Sequence, residues 1–238
     1  MQLVTAQQHQ DVPRRALRRK VVLGLAYGIP IIIAALIIWF AVARPVKVVP
    51  RIRQMPTYSL VDQTGTRLTD GDLRGRTVFI SFAQSRCGAA CDEQFAGLQA
   101  LRDSIRAKGM LGSQVLFLTI SLDPAHDTPA DLSLLAGRIG ADPDTWRFAT
   151  GDPTEIKMFL GGELGFYYSE ADAAGQIERD QEVLMIDGTG MLRARYQGAA
   201  PEVWRVMRDL ELLRREAGSA GAMRSVYEAS HLFLCYPD

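Results

Sequence analysis

The chain has 238 residues, 47% of them hydrophobic and 23% charged, with 27 Lys/Arg against 27 Asp/Glu. That length suits one good-sized domain with appendages. The charge is unevenly placed: residues 1–50 hold seven Lys/Arg and one acid, leaving 20 basic and 26 acidic side chains in the rest, an acidic body without the basic footprint that a nucleic-acid partner requires.

Residues 1–20 read as a short, disordered cytoplasmic tail carrying Arg14, Arg15, Arg18, Arg19 and Lys20. Val21–Ala43 follows, 23 residues without a charge. At about 1.5 Å per residue it reaches roughly 34 Å, enough to cross a bilayer core. Arginines before the span keep the N-terminus in the cytoplasm and export the remainder to the periplasmic or extracytoplasmic side. The rival reading is a cleaved signal peptide, since Ala41–Val42–Ala43 has the A-x-A form; the apolar run is longer than the ~7–15 residues usual there, which favours an uncleaved anchor. Residues 44–56, with Pro45, Pro50 and Pro56, read as an extended linker.

The folded part is expected over residues 57–217. Tyr58–Val61 and Thr66–Thr69 make a hairpin around Gly65. Thr77–Phe82 is a strand feeding a polar turn. Asp92–Lys108 has helical spacing, with Phe95, Leu98, Leu101 and Ile105 on one face and Gly109 beyond its end. Val115–Leu122 is an apolar run suited to a strand buried on both faces. Asp131–Ile139 is helical, with Thr128 as N-cap and Pro129 at the first position. Trp146–Thr150 is a short strand and Thr154–Leu160 a short helix. Val183–Ile186 and Met191–Tyr196 form a hairpin, and Pro201–Glu216 an amphipathic helix. Residues 218–238 are a tail without an assigned element. The order β-α-β-α-β-α-ββ-α describes one α/β domain with helical crossovers.

The chemistry concentrates at Cys87 and Cys91, four residues apart where the strand Thr77–Phe82 gives way to a helix. That spacing is about one helical turn, so the two sulfurs can share a disulfide or a soft metal ion. A helix start favours thiolate, and Arg86 adds to this while Asp92 and Glu93 oppose it. A structural disulfide closing so small a loop would add little stability. Three cysteines in an exported chain, one close pair and the distant Cys235, are not a disulfide scaffold.

An exported α/β domain with such a pair resembles the thioredoxin superfamily, and two strings narrow the resemblance. Ser121–Leu122–Asp123–Pro124–Ala125–His126–Asp127–Thr128–Pro129 is similar to the S-x-D-P-x-x-D-T-P signature of the SCO/SenC family. Trp146–Arg147–Phe148–Ala149–Thr150–Gly151 is similar to its W-x-x-x-T-G segment, and C-x-x-x-C is its cysteine spacing. The resemblance runs from about Tyr58 to Ala217. It implies a thioredoxin-like fold, an inner-membrane anchor, and a copper chaperone or thiol reductase that helps assemble the copper centre of cytochrome c oxidase. It also implies copper held by Cys87, Cys91 and a histidine shortly before the strand ending at Asp187.

The sequence departs from that pattern in two places. The expected histidine falls at Arg179 or within a residue of it, and the chain has only His9, His126 and His231. The prolines that follow each family cysteine are replaced by Gly88 and Asp92. Without the expected histidine the site is two-coordinate or recruits a substitute, and His126, beyond the end of a central strand on the sheet edge shared with the cysteine turn, is the first candidate. His231 with Cys235 is a second candidate, and Asp180 and Glu182 are poor partners for Cu(I). Asp123 and Asp127 either build the loop or manage protons beside the thiols. Ser85–Arg86–Cys87 has a partial likeness to the peroxidatic segment of peroxiredoxins, whose upstream Pro and Thr are absent. Three functions remain: thiol–disulfide exchange at Cys87/Cys91, with Cys87 attacking and Cys91 resolving; copper delivery; and a redox-inert docking module.

Overall fold

A computed structural model describes residues 11–43 and 46–233. The first element, α1 (Asp11–Ala43), is a continuous helix through Pro30. Its stretch Arg19–Trp39 is long and apolar enough to cross a membrane, and none of that window is buried against the rest of the protein. The helix therefore begins ten residues before the apolar run, inside the segment expected to be disordered.

One eight-stranded sheet organises the remainder. Its strands are β1 (Arg53–Gln54), β2 (Ser59–Asp62), β3 (Arg67–Thr69), β4 (Thr77–Ala83), β5 (Val115–Ser121), β6 (Trp146–Thr150), β7 (Glu182–Ile186) and β8 (Met191–Gln197). They lie in the order β1-β8-β7-β4-β5-β6-β2-β3. Only β4, β5 and β6 pair in parallel, because helical crossovers join them; the hairpins at the two edges pair antiparallel. The helices are α2 (Asp92–Ala107), α3 (Pro129–Arg138), α4 (Pro153–Lys157), α5 (Val203–Ala217) and α6 (Ala222–Phe233).

The central strands sort their side chains by parity. Phe79, Phe117, Trp146 and Phe148 pack on one face with Leu98, Leu101 and Ile105 of α2, Leu132 and Leu135 of α3, and Val206 and Leu210 of α5. Ile80, Phe82, Leu118 and Ile120 pack on the other face with Leu60, Leu68, Ile156 and Phe159. Burial on both faces is what the unbroken apolar run of β5 requires. At α3, Thr128 is the N-cap as expected, and Asp131 completes a capping box with it.

Two boundaries differ from the sequence expectation. The linker is partly domain: Val48, Val49 and Met55 are buried, and β1 pairs with β8. The C-terminal tail is partly helix: α6 docks through Ser230, which is fully buried, and through His231, whose Nε2 lies 2.8 Å from Glu216 Oε1. A smaller difference lies after α4, where a π-turn, Met158–Glu163, extends the helix past its expected end.

Candidate functional site

The site sits at the C-terminal ends of β4 and β5. Cys87 and Cys91 are joined by a disulfide with Cα atoms 5.7 Å apart. A 3₁₀ turn, Gly88–Cys91, separates them from the body of α2: Cys87 is the N-cap of the turn, and Cys91, its last residue, is the N-cap of the helix. The helix itself starts at Asp92, where its spacing places it, and Gly88 opens the turn before it. Its φ is +50°, a left-handed conformation that glycine takes without steric cost. Proline, locked near −65°, cannot take it, which gives the missing proline at this position a physical reason.

Both sulfur-bearing residues are buried, Cys87 with 4% of its surface exposed and Cys91 with none. They belong to the same buried cluster as Ala83 and Phe95. The neighbouring Gly88 and Ala89 are exposed, so the disulfide lies just beneath a solvent-facing turn.

The loop Leu122–Thr128 grips this turn from the side. Asp127 is buried and accepts from Ser85 N–H at 3.1 Å, Ser85 Oγ at 2.6 Å and Ser121 Oγ at 2.5 Å. Asp123 accepts from Arg86 Nη2 at 2.6 Å and pairs with His126 Nδ1 at 2.7 Å. Burial works against the Asp123 charge, but the bonds from His126 and Arg86 outweigh it and hold its carboxyl below the usual range. Arg86 is thus committed to Asp123 instead of a cysteine.

The cation on the sulfur is Arg179. Its Nη2 donates to Cys91 Sγ at 3.2 Å and to Gln94 Oε1 at 2.9 Å. Gln94, itself 1% exposed, is fixed by donating to Phe82 O at 3.1 Å. Desolvation pulls the guanidinium pKa down, and its Nε is buried without a partner. Arg179 reaches the site on the irregular segment between the π-turn and β7. That segment is held by the bridge Tyr168–Arg179 and by Gln84 Nε2 donating to Gly175 O at 2.8 Å. Counting back from β7 identifies position 179 in the sequence, but the contact with sulfur depends on the path of a segment that has no periodicity.

The arrangement does not supply the three-ligand copper site that the resemblance implies. Among the described residues no group of three His, Cys, Asp or Glu side chains is placed to hold a metal. Two positive charges about 4 Å apart repel by roughly 4 kcal/mol at an effective dielectric of about 20, so a guanidinium on Cys91 opposes a cation there. His126 is bonded to Asp123, and Glu182 to Arg195 at 2.7 Å. His231 is excluded by distance. Its partner Glu216 shares a cleft with Thr77 and Asp187, at the start of β4, whereas the cysteines follow its end; seven residues of strand separate the two ends by about 20 Å. Cys235 and His9 lie outside the described residues.

Comparisons with known proteins agree with this architecture. The SCO1/SenC family model matches residues 49–213, well over half of the chain. The protein sco1 of Schizosaccharomyces pombe is 32% identical over 76 residues, covering 32% of this chain and only 28% of the yeast protein. The SCO1 protein homolog of Bacillus subtilis is 20% identical over 61% of this chain and 74% of its own length. Among solved structures, a SCO1/SenC family lipoprotein from Bacillus anthracis superposes with a TM-score of 0.61 at 20% identity, covering 66% of this chain and 93% of that one. Arabidopsis thaliana ScoI, crystallised with copper bound, gives 0.59 at 20% identity over 68% of this chain and 99% of that one. The fold is therefore the thioredoxin-like Sco fold, and the chain belongs to the SCO1/SenC family.

Proposed function

We propose that this protein is a membrane-anchored thiol–disulfide oxidoreductase that serves copper-centre assembly of cytochrome c oxidase from the extracytoplasmic side. The observation that carries the reading is the Cys87–Cys91 disulfide with a guanidinium against one sulfur. Family membership supports the assembly role, and the exposed apolar stretch of α1 supports the anchor.

In the reduced protein the Cys87 thiolate attacks a partner disulfide. A mixed disulfide forms and the partner's second sulfur leaves as thiolate. The Cys91 thiolate then attacks Cys87 Sγ, restores the Cys87–Cys91 bond and expels the partner's first sulfur. Two electrons pass to the partner, and a thiol reductant outside the cytoplasm must return them. Cys87 suits the attacking role because it keeps some exposure while Cys91 keeps none. Asp127 and Asp123 hold Ser85 and Arg86, the two residues leading into Cys87.

Anaerobic Cu(I) titration of the reduced full-length protein in detergent, alongside redox equilibration with glutathione, tests the reading. The expected result is reversible two-electron exchange with weak copper binding. Tight one-to-one Cu(I) binding that weakens on His126→Ala overturns it in favour of copper delivery. In cells, oxidase assembly that survives Cys87→Ser overturns both and leaves a docking module.

A further inference from the structure

We infer that Arg179 determines which sulfur of the disulfide is attacked: incoming thiolates add to Cys87, and Cys91 departs as a thiolate beside the guanidinium. The inference rests on the exchange reading above and deepens it.

A disulfide carries no charge, so the guanidinium faces Cys91 Sγ at 3.2 Å with no anion to pair with. Its other partner is the neutral amide oxygen of Gln94, and no carboxylate among the described residues bonds to it. Holding a cation half-buried in that state is unfavourable. The matching negative charge appears only when the sulfur–sulfur bond opens and the electron pair goes to Cys91. The donor thus stands ready where charge develops, and Gln94, tied to the end of β4, fixes it there.

The two possible attacks are unequal on this ground. When a thiolate adds to Cys87 Sγ, the new sulfur–sulfur bond forms there, the Cys87–Cys91 bond breaks, and Cys91 leaves as an anion against Arg179. When a thiolate adds to Cys91, Cys87 must leave instead, and Arg86, its neighbour in sequence, already pairs with Asp123. A better-stabilised leaving thiolate leaves faster. Accessibility points the same way, since Cys91 is the fully buried partner. The same contact stabilises the reduced protein relative to the oxidised one, because only the reduced form supplies the anion.

The test uses full-length protein in detergent, with glutathione as the attacking thiol and rapid acid quench. Mass mapping of wild-type protein is expected to place the glutathione adduct on Cys87. Arg179→Gln is expected to slow reduction at least tenfold, to lower the midpoint potential, and to spread the adduct over both cysteines. Arg179→Lys, which keeps the charge, is expected to recover most of the rate. A purely packing role for Arg179 would move neither the potential nor the adduct position. Should Arg179→Gln not fold, the wild-type adduct map and Arg179→Lys decide. An adduct on Cys91 in wild type, or wild-type rate and potential in folded Arg179→Gln, overturns the inference and leaves exchange itself standing. A folded wild-type protein whose disulfide resists both glutathione and dithiothreitol overturns exchange and this inference together.

Discussion

Asp127 holds Ser85 from 42 residues away, taking both its backbone N–H and its hydroxyl. The same carboxylate takes the hydroxyl of Ser121 at the end of β5, so one buried acid locks the cysteine turn to the neighbouring strand. Asp127→Ala leaves the buried hydroxyl of Ser121 and the half-buried N–H and hydroxyl of Ser85 without their acceptor. It is expected to cost about 2–4 kcal/mol, since each unsatisfied buried group costs about 1–3 kcal/mol, and to speed reduction of the disulfide as the turn loosens. Chemical denaturation and reduction rates check both; a loss below about 0.5 kcal/mol would show that the turn is held elsewhere.

The far end of the sheet carries a separate ion cluster. Arg193, 3% exposed, pairs with Asp187 at 2.8 Å and Glu216 at 2.6 Å, and Glu216 also meets Arg51 and His231. Glu216→Ala removes one partner of a buried pair and is expected to cost about 3–5 kcal/mol. Exchange at the cysteines of the folded variant is expected to be unchanged. Comparing melting midpoints with glutathione exchange rates separates the two effects.

Glu216 also sets a pH dependence. Burial opposes its charge, yet Arg193 and His231 hold its pKa below the ordinary 4.5. A carboxyl lowered in the folded state stabilises at pH values above its unfolded pKa and loses that contribution as pH falls through the folded one. The stability gap between wild type and Glu216→Gln is therefore expected to be full above about pH 5 and to close below pH 4.5. An acid titration of both proteins that found a constant gap would contradict this.

Two glycines are expected to resist alanine for different reasons. A Cβ on Gly97 would sit 2.6 Å from Ala200 Cβ and 2.7 Å from its Cα, so Gly97→Ala overpacks α2 against the chain before α5, at about 1–3 kcal/mol. At Gly88 there is open space, and only the left-handed φ of +50° resists, at about 1–2 kcal/mol. Gly88→Ala is expected to alter the rate of disulfide reduction and Gly97→Ala to leave it unchanged. Thermal melts and reduction kinetics of both variants check this.

Removal of residues 1–43 is expected to release the protein from membranes without shifting its melting midpoint by more than about 2 °C, because none of the apolar window of α1 packs on the domain. Fractionation and calorimetry of the truncated and full-length chains test this; a large drop in midpoint would reveal a structural role for α1.

Where local pattern suffices, sequence and structure coincide. The apolar run of β5, the strand Trp146–Thr150 and the Thr128 N-cap were legible because a buried strand and a Thr-Pro helix start are written in consecutive residues. The roles of Asp123 and Asp127 in bracing Ser85 and Arg86 were not, since their partners lie about 40 residues upstream. The docked α6 was missed because its Ala- and Gly-rich approach reads as a tail, although His231 and Tyr227 stand one helical turn apart on it.

Residue identities and spacings alone determined that a chain with one long apolar stretch carries an α/β domain with two sulfurs a turn apart, because those properties depend on near neighbours. Only tertiary structure decided the electrostatics of those sulfurs. Arg86, adjacent in sequence, is turned away to Asp123, while Arg179, 88 residues distant, lies on Cys91. Charge acts through space, and the path that brings a remote guanidinium to a sulfur is fixed by packing that no local pattern records.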